Sequence, residues 1–273
     1  MTDSLPMTGI DTHAHIFDPD APMAPGRRYA PTYVASVTSW LSHMEEAGIS
    51  HGVLVQPSFY GTDNGLIAEA LAEHPGRLRG IAVVDPDVSE ATLARLDAQG
   101  FVGARLNLVG RELEDYSSAA WQAFFRRLAG IGWQVEIQRA FEDFALLLPA
   151  LAPSGCAVMI DHFGLPQGGI DAANPAHAAV LDALRAAPNA WVKLSAPYRS
   201  DQSAAQAATS LRHLREALGG MDRFVWGSDW PHTQHENVTD YSEQVDRMRT
   251  LLPDPADRRR VLVETPAALF RFT

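Results

Sequence analysis

Two stretches decide the fold: Ile10-Asp11-Thr12-His13-Ala14-His15, near one end of the chain, and Gly227-Ser228-Asp229-Trp230-Pro231-His232, near the other. Each closes a short apolar run and carries histidine or aspartate. Side chains two residues apart point to the same side of a strand, so His13 and His15 can face one cavity. Asp229 meets them only if the sheet curls round and closes. A β/α barrel closes in this way, and its active site lies where the strand ends converge.

Eight short apolar runs predict eight strands. Each is mostly apolar over four to seven residues, as is typical of parallel strands buried on both faces. The predicted strands are Ile10–Ile16, Gly52–Gln56, Gly80–Val84, Val102–Leu108, Trp133–Gln138, Ala157–Asp161, Trp191–Ser195 and Arg223–Gly227.

A segment with helical periodicity follows each of these strands. The first places Val34, Val37, Leu41 and Met44 on one face, and Gly48 stops it. The predicted helices are Val34–Ala47, Asp63–His74, Ser89–Gln99, Ser118–Gly130, Glu142–Leu151, Pro175–Ala187, Ser203–Leu218 and Thr239–Leu251, with a last one at Pro266–Phe270. Eight strand–helix units predict an α/β chain of the (β/α)8 TIM-barrel class, with residues 1–273 as a single domain; an open doubly wound sheet is the alternative.

Composition restricts the partners of such a barrel. The 273 residues are close to the ~250 that this barrel needs, and 46% of them are hydrophobic. The net charge of −11 argues against nucleic acid or an anionic membrane surface as a partner. Met1–Gly9 lacks the features of a signal peptide, and the sequence has no apolar run of about 20 residues. We therefore expect a cytoplasmic protein.

His162 extends the set of candidate catalytic residues. It ends the predicted strand Ala157–Asp161, so its imidazole is expected at the same mouth as His13, His15 and Asp229. His232 follows Asp229 closely enough to be a further candidate. Three histidines and one aspartate can hold a divalent metal, or can activate water and polarise a carbonyl without one.

Other residues argue against a metal. A lysine-bridged two-metal site is excluded because the sole lysine, Lys193, lies on the seventh strand. The fifth strand ends in Gln138 rather than histidine, and Arg105 points inward on the fourth, where it would repel a dication. The prediction is that no cofactor is required. The alternative is one divalent metal such as zinc, held by His13, His15, Asp229 and His162.

Arginines form the second group of candidate residues. An inward Arg105 at a strand end is costly unless it meets an anion, and its guanidinium matches a carboxylate in two parallel hydrogen bonds. Arg111 follows the same strand and Arg199 follows the seventh; for these two, solvated ion pairs are the alternative. Tyr29 lies on a proline-rich segment, residues 17–31, which is expected to pass over the mouth and form part of the wall of the site.

Together with Ile160-Asp161-His162 and four further stretches, the two motifs resemble the amidohydrolase superfamily and, within it, the 2-pyrone-4,6-dicarboxylate lactonases. Those stretches are Gln56-Pro57-Ser58, Gly61-Thr62-Asp63-Asn64, Arg79-Gly80-Ile81-Ala82-Val83-Val84-Asp85-Pro86 and Gly103-Ala104-Arg105-Leu106-Asn107. The resemblance covers nearly the whole chain. It implies a distorted (β/α)8 barrel that hydrolyses a small carboxylated lactone without a metal.

The resemblance also implies roles for individual residues. Asp229 is the base that takes a proton from the attacking water, while His13, His15 and His162 polarise the lactone carbonyl. The implied and candidate substrate-binding residues are Arg105, Arg111, Arg199, Tyr29, Ser58, Gln138 and His232.

Three positions depart from the family pattern. Gln138 stands where a tyrosine is expected, Leu165 where an arginine is expected, and Thr265-Pro266 where Asn-Pro is expected. The substrate is therefore expected to be 2-pyrone-4,6-dicarboxylate or a related lactone. Three alternatives stay open: a one-zinc hydrolase of sugar or sulfonated lactones, a metal-dependent decarboxylase, and a silent barrel that binds an anionic ligand. The decarboxylase is disfavoured because the strand-five histidine it needs is missing.

Overall fold

The computed structural model describes residues 6–272. Residues 1–5, which belong to the stretch tested for a signal peptide, and residue 273 lie outside the described residues. Within residues 6–272 there are eight strands. They are β1 Ile10–Ala14, β2 His51–Val55, β3 Leu78–Ala82, β4 Phe101–Asn107, β5 Gln134–Gln138, β6 Ala157–Ile160, β7 Ala190–Leu194 and β8 Phe224–Trp226.

A helix follows every strand of the described chain. The helices are α1 Val37–Ala47, α2 Gly65–Glu73, α3 Glu90–Ala98, α4 Ala119–Gly130, α5 Phe144–Leu151, α6 Pro175–Ala186, α7 Ala204–Leu218, α8 Tyr241–Leu251, α9 Pro255–Arg259 and α10 Thr265–Leu269. The strands form one sheet in the order β1 to β8. Sequential strands that alternate with helices are the pattern of a (β/α)8 barrel, so the predicted fold class is confirmed.

The chain divides into two compact units. The first holds the described residues up to Arg105 and those from Trp226 onward, and the second holds Leu106–Val225. In the first unit, β1 pairs with β2, β2 with β3 and β3 with β4, all in parallel. In the second, β5 pairs with β6 and β6 with β7, again in parallel. Whether residues 1–273 fold as a single domain stays a prediction.

The start of α1 differs from its prediction. Ser36 caps the helix, because its side chain accepts a hydrogen bond from the Ser39 amide. Val34, predicted on the buried face, lies before the cap and is 59% exposed. The buried face is formed by Trp40, Leu41 and Met44.

The C-terminal helical region is longer than predicted. Asp254 caps α9 by accepting the Ala256 amide hydrogen bond. A π-helical segment, Arg260–Glu264, then leads directly into α10. The predicted helix at Pro266–Phe270 is the last part of this run.

Among the helices of residues 6–272, none has both the length and the hydropathy needed to cross a membrane.

Cys156 is a buried thiol of the second unit, and we expect it to be unreactive. Its side chain is fully buried before β6, and burial raises the pKa of the thiol to about 12. Only the thiolate is a good nucleophile. The folded protein should therefore not react with Ellman's reagent at pH 8, whereas the protein in guanidinium chloride should yield one thiol per chain. Rapid reaction of the folded protein would contradict this prediction.

Candidate active site

Two histidines at the end of β1 form the centre of the site in the first unit. The Nε2 atoms of His13 and His15 lie 3.3 Å apart, and both side chains are buried. His15 Nδ1 lies 2.7 Å from the Val55 carbonyl oxygen. Because a carbonyl oxygen only accepts hydrogen bonds, Nδ1 of His15 carries a proton. In the neutral ring, His15 Nε2 therefore presents a lone pair toward His13.

Asp229 joins these histidines from the loop after β8. Its Oδ1 atom lies 3.8 Å from His13 Nε2, and both side chains are fully buried. The Asp229 amide donates to the His13 carbonyl at 2.8 Å, and Asp229 adopts a left-handed φ of 63°. A Cβ on Gly227 would lie 2.6 Å from His13 Cβ, so only glycine permits this close approach. The predicted grouping of His13, His15 and Asp229 agrees with this geometry.

Asp11 is a further carboxylate of this region, to which no motif in the sequence assigns a role. It is fully buried, and its carboxylate accepts hydrogen bonds from the Ser228 amide, the Ser228 hydroxyl and Trp40 Nε1. Burial raises the pKa of Asp11 above its ordinary value, although these hydrogen bonds lower it. Burial, and secondarily the nearby Asp11, hold the pKa of Tyr241 well above its ordinary value.

Arg105 lies at the end of β4 within the first unit, and only 4% of it is exposed. Its Nη1 donates to the Gln56 carbonyl at 3.4 Å. Gln56 is also buried, and its amide donates to the carbonyls of Gly61 and Asp63. This network holds the loop after β2, which carries the half-buried Ser58. No motif in the sequence marks the Gln56 side chain for this role.

Tyr29 and His232 belong to two loops of the same unit. Tyr29 is half-buried, and its hydroxyl donates to Thr233 Oγ1 at 3.3 Å. His232 is 3% exposed and has a left-handed φ of 64°, and its amide donates to the Asp229 carbonyl. The turn Asp229–Thr233 therefore connects the predicted base, His232 and the proline-rich segment.

His162 is the candidate catalytic residue of the second unit. It follows β6 with a left-handed φ of 53° and is 1% exposed. Its Nδ1 lies 2.8 Å from Ser195 Oγ, so the serine after β7 fixes the orientation of the ring. Ser195 ends the predicted seventh strand, but the sequence contains no motif that assigns it a role.

A buried group of charges lies next to this pair along β6 and β7. Lys193 Nζ lies 2.9 Å from Glu136 Oε2 and 3.2 Å from Asp161 Oδ1, and all three side chains are 0% exposed. Asp161 directly precedes His162, and Lys193 lies two residues before Ser195. The sole lysine is thus an internal counter-ion for two carboxylates of the second unit.

The remaining substrate-binding candidates belong to the second unit: Gln138 ends β5, Arg111 lies on the loop after β4, and Arg199 lies on the turn after β7. Gln138 and Arg199 are half-buried, and Arg111 is exposed. The Arg111 carbonyl accepts a hydrogen bond from Arg139, whose guanidinium also contacts Asp143. Arg139, which sequence reasoning did not single out, therefore anchors the loop that carries Arg111.

The donor atoms at the end of β1 also suit a cation. One atom each from His13, His15 and Asp229 lies within 4.8 Å of the other two. The hydrogen bond to Val55 turns the His15 lone pair toward this point, as second-shell partners of ligating histidines do. The residues thus fit one divalent metal as well as a hydrogen-bonded water.

Comparison with known proteins finds similarity along almost the whole chain. A model of the family described as Amidohydrolase matches residues 10–272. A 2-pyrone-4,6-dicarboxylate hydrolase from Comamonas testosteroni is 29% identical over 280 residues, which cover 97% of this chain and 91% of that protein. A 4-sulfomuconolactone hydrolase from Hydrogenophaga intermedia is 29% identical over 278 residues, covering 97% and 89%. A crystal structure from Acinetobacter baumannii, of a probable 2-pyrone-4,6-dicarboxylic acid hydrolase with citric acid bound, gives a TM-score of 0.92 at 37% identity over 97% of this chain and 100% of that one.

Proposed function

Because the chain belongs to the amidohydrolase family, we propose that it hydrolyses a small carboxylated lactone, either 2-pyrone-4,6-dicarboxylate or a related one. The observation that carries the proposal is the buried carboxylate of Asp229 with its Oδ1 3.8 Å from His13 Nε2. A base beside imidazole donors is the arrangement that attack of water on an ester carbonyl requires. The names of the two sequence relatives, both lactone hydrolases, support the same reaction class.

In the proposed reaction, Asp229 removes a proton from water as the water oxygen forms a bond to the lactone carbonyl carbon. The protonated Nε2 of His13 and the His162 side chain donate to the oxyanion that develops, while His15, whose Nε2 is an acceptor, orients the His13 ring from 3.3 Å away. Each well-placed donor of this kind typically contributes ~3 kcal/mol to transition-state stabilisation. The bond between the carbonyl carbon and the ring oxygen then breaks. The leaving oxygen takes up the proton that Asp229 removed, which yields a carboxylic acid and an enol or alcohol.

Arginine side chains are proposed to bind the carboxylates of the substrate. Arg105 is the leading candidate because its guanidinium is buried at the end of β4, in the same unit as Asp229, and matches a carboxylate in two parallel hydrogen bonds. Arg111 and Arg199 are proposed as further carboxylate ligands, with Tyr29, Ser58, Gln138 and His232 completing the substrate contacts.

Replacing Arg105 should weaken substrate binding more than catalysis. We expect Arg105→Met to raise KM about tenfold or more for a dicarboxylated lactone, because a charge-assisted pair contributes about 1.5–3 kcal/mol. Steady-state kinetics check this, with an uncharged lactone as the matched substrate on which the variant should equal the wild type. An unchanged KM for the dicarboxylated lactone would remove Arg105 from the binding set.

We propose that the reaction needs no metal. His15 carries its proton on Nδ1, so its Nε2 can accept a hydrogen bond from a proton on His13 Nε2. Both nitrogens of His15 then have hydrogen-bond partners without a cation. The same donor spacing favours a second candidate, a one-zinc hydrolase of sugar or sulfonated lactones. In that case His13, His15 and Asp229 would hold the ion, which would supply Lewis acidity to the carbonyl.

Lactone hydrolysis by metal-stripped protein tests the proposal. The protein is treated with a chelator, its metal content is measured, and a panel of lactones led by 2-pyrone-4,6-dicarboxylate is assayed before and after zinc is added. Full activity in the stripped protein supports metal-free catalysis and identifies the lactone. Activity that returns only with about one equivalent of zinc favours the second candidate, and no turnover of any lactone rejects both.

A further inference from the structure

We propose that Asp11 is a positioning residue that holds His13 and the turn leading to Asp229 in their reactive arrangement. The inference rests on the function proposed above. Its basis is that one buried carboxylate accepts hydrogen bonds from the backbone on both sides of the His13–Asp229 contact.

The first side is β1 itself, which contains a bulge. Asp11 pairs with Gly52 and Ala14 pairs with Leu54, so three steps along β1 match two along β2. The bulge places Asp11 and Ala14 on one face and leaves His13 and His15 for the other. The His13 amide, inside the bulge, donates to Asp11 Oδ1 at 3.2 Å. The Asp11 carboxylate thus stabilises the bulge, and the bulge places His13 on the opposite face of β1 from Asp11.

The second side is the loop after β8. The Ser228 amide donates to Asp11 Oδ1 at 2.8 Å, and the Ser228 hydroxyl donates to Asp11 Oδ2 at 2.6 Å. That hydroxyl oxygen accepts the Trp230 amide at 3.1 Å. Ser228 and Trp230 flank Asp229, so the carboxylate holds the turn that carries the base. Residues 217 positions apart in the chain are thereby fixed to one group.

Trp40 supplies a further hydrogen bond to Asp11. Its Nε1 donates to Asp11 Oδ2 at 3.0 Å, and its ring occupies the space above Gly52, where a Cβ would lie 2.3 Å from it. Each carboxylate oxygen therefore accepts two hydrogen bonds. Burying a carboxylate costs more free energy than burying an apolar side chain of similar size. An apolar residue at position 11 could fill the space, but it could not accept these four hydrogen bonds.

Asp11→Asn tests the role because it keeps the shape but replaces one acceptor oxygen with an NH2 group. That group faces donors whichever way the amide is turned. We expect kcat to fall about 10- to 100-fold, as small misplacements of reacting groups do, with KM within about twofold of wild type. Ser228→Ala, which removes one of the four hydrogen bonds, should lower kcat about three- to tenfold with the same KM. Trp40→Phe removes a donor that lies on neither β1 nor the loop after β8, and it should lower kcat less than Ser228→Ala does.

Imidazole NMR of the protein without substrate gives a readout that is independent of the activity. In Asp11→Asn the 15N and 13C resonances of the His13 ring should shift or split, whereas the Nδ1 resonance of His15 should move less because the Val55 carbonyl holds that nitrogen. Unchanged His13 resonances in both Asp11→Asn and Ser228→Ala would overturn the proposal. A loss of kcat that matches the loss of folded protein, measured by circular dichroism, would also overturn it. If the wild type hydrolyses no lactone, the proposed function fails, while the His13 resonances still decide the role of Asp11.

Discussion

Asp229→Asn is expected to lower kcat for lactone hydrolysis by roughly 10²–10⁴-fold, the usual contribution of a general base. The amide has the shape of the carboxylate but cannot take a proton from water. Its position is held by backbone contacts that the substitution leaves intact, since the Asp229 amide donates to the His13 carbonyl. Substrate affinity should therefore stay within a few-fold of wild type. Stopped-flow or steady-state kinetics measure the first quantity and isothermal titration calorimetry the second.

Asp87→Asn is the matched control for this variant, because Asp87 is an exposed aspartate of the same unit. Its kcat and KM should equal those of the wild type. Near-wild-type turnover by Asp229→Asn would show that another group activates water, and the proposed mechanism would then be wrong. Loss of both turnover and binding would instead assign Asp229 a role in holding the substrate or a metal.

The class of fold was predictable because its signal is local. All eight predicted strands are present, with ends that differ by no more than two residues, because runs such as Val53–Val55 are apolar on both faces. The amidohydrolase resemblance and the prediction of a hydrolase are confirmed by the match over residues 10–272 and by the named relatives. Helix starts were less predictable, since the Ser36 cap overrides the apolar spacing that had included Val34.

The site was predictable only as far as alternation along a strand allows. His13 and His15 share a side, and the end of β8 brings Asp229 to His13, as the motif spacing predicts. The sequence does not predict the hydrogen bonds of Asp11. Simple alternation along β1 places Asp11 on the same side as His13. The bulge that moves Asp11 to the other face, toward Trp40 and Ser228, leaves no signal in the sequence. The partners of Lys193 were missed for a similar reason. Glu136 and Asp161 lie 57 and 32 positions away, and only the strand register brings them to one ammonium group.

Lys193→Met is expected to lower the free energy of unfolding by about 3–5 kcal/mol, the usual cost of removing one partner from a buried ion pair. The substitution leaves the carboxylates of Glu136 and Asp161 buried near each other without the ammonium group between them. Chemical denaturation, followed by circular dichroism and tryptophan fluorescence, measures the loss. Since Asp161 precedes His162, we also expect kcat to fall in the fraction that remains folded.

Arg249→Met provides the matched control, because it removes a cation from the exposed ion pair with Asp246, in which the side chains are 54% and 75% exposed. Such pairs contribute at most about 1 kcal/mol, so its stability should be nearly that of the wild type. Adding Glu136→Leu to Lys193→Met should recover part of the loss, because it removes one of the two carboxylates left without their counter-ion. If Lys193→Met is as stable as Arg249→Met, the buried lysine is not the counter-ion of this cluster. If Glu136→Leu recovers no stability, the buried carboxylate of Asp161 alone accounts for the loss. The stabilising ion pair is then Lys193–Asp161, whose aspartate directly precedes His162.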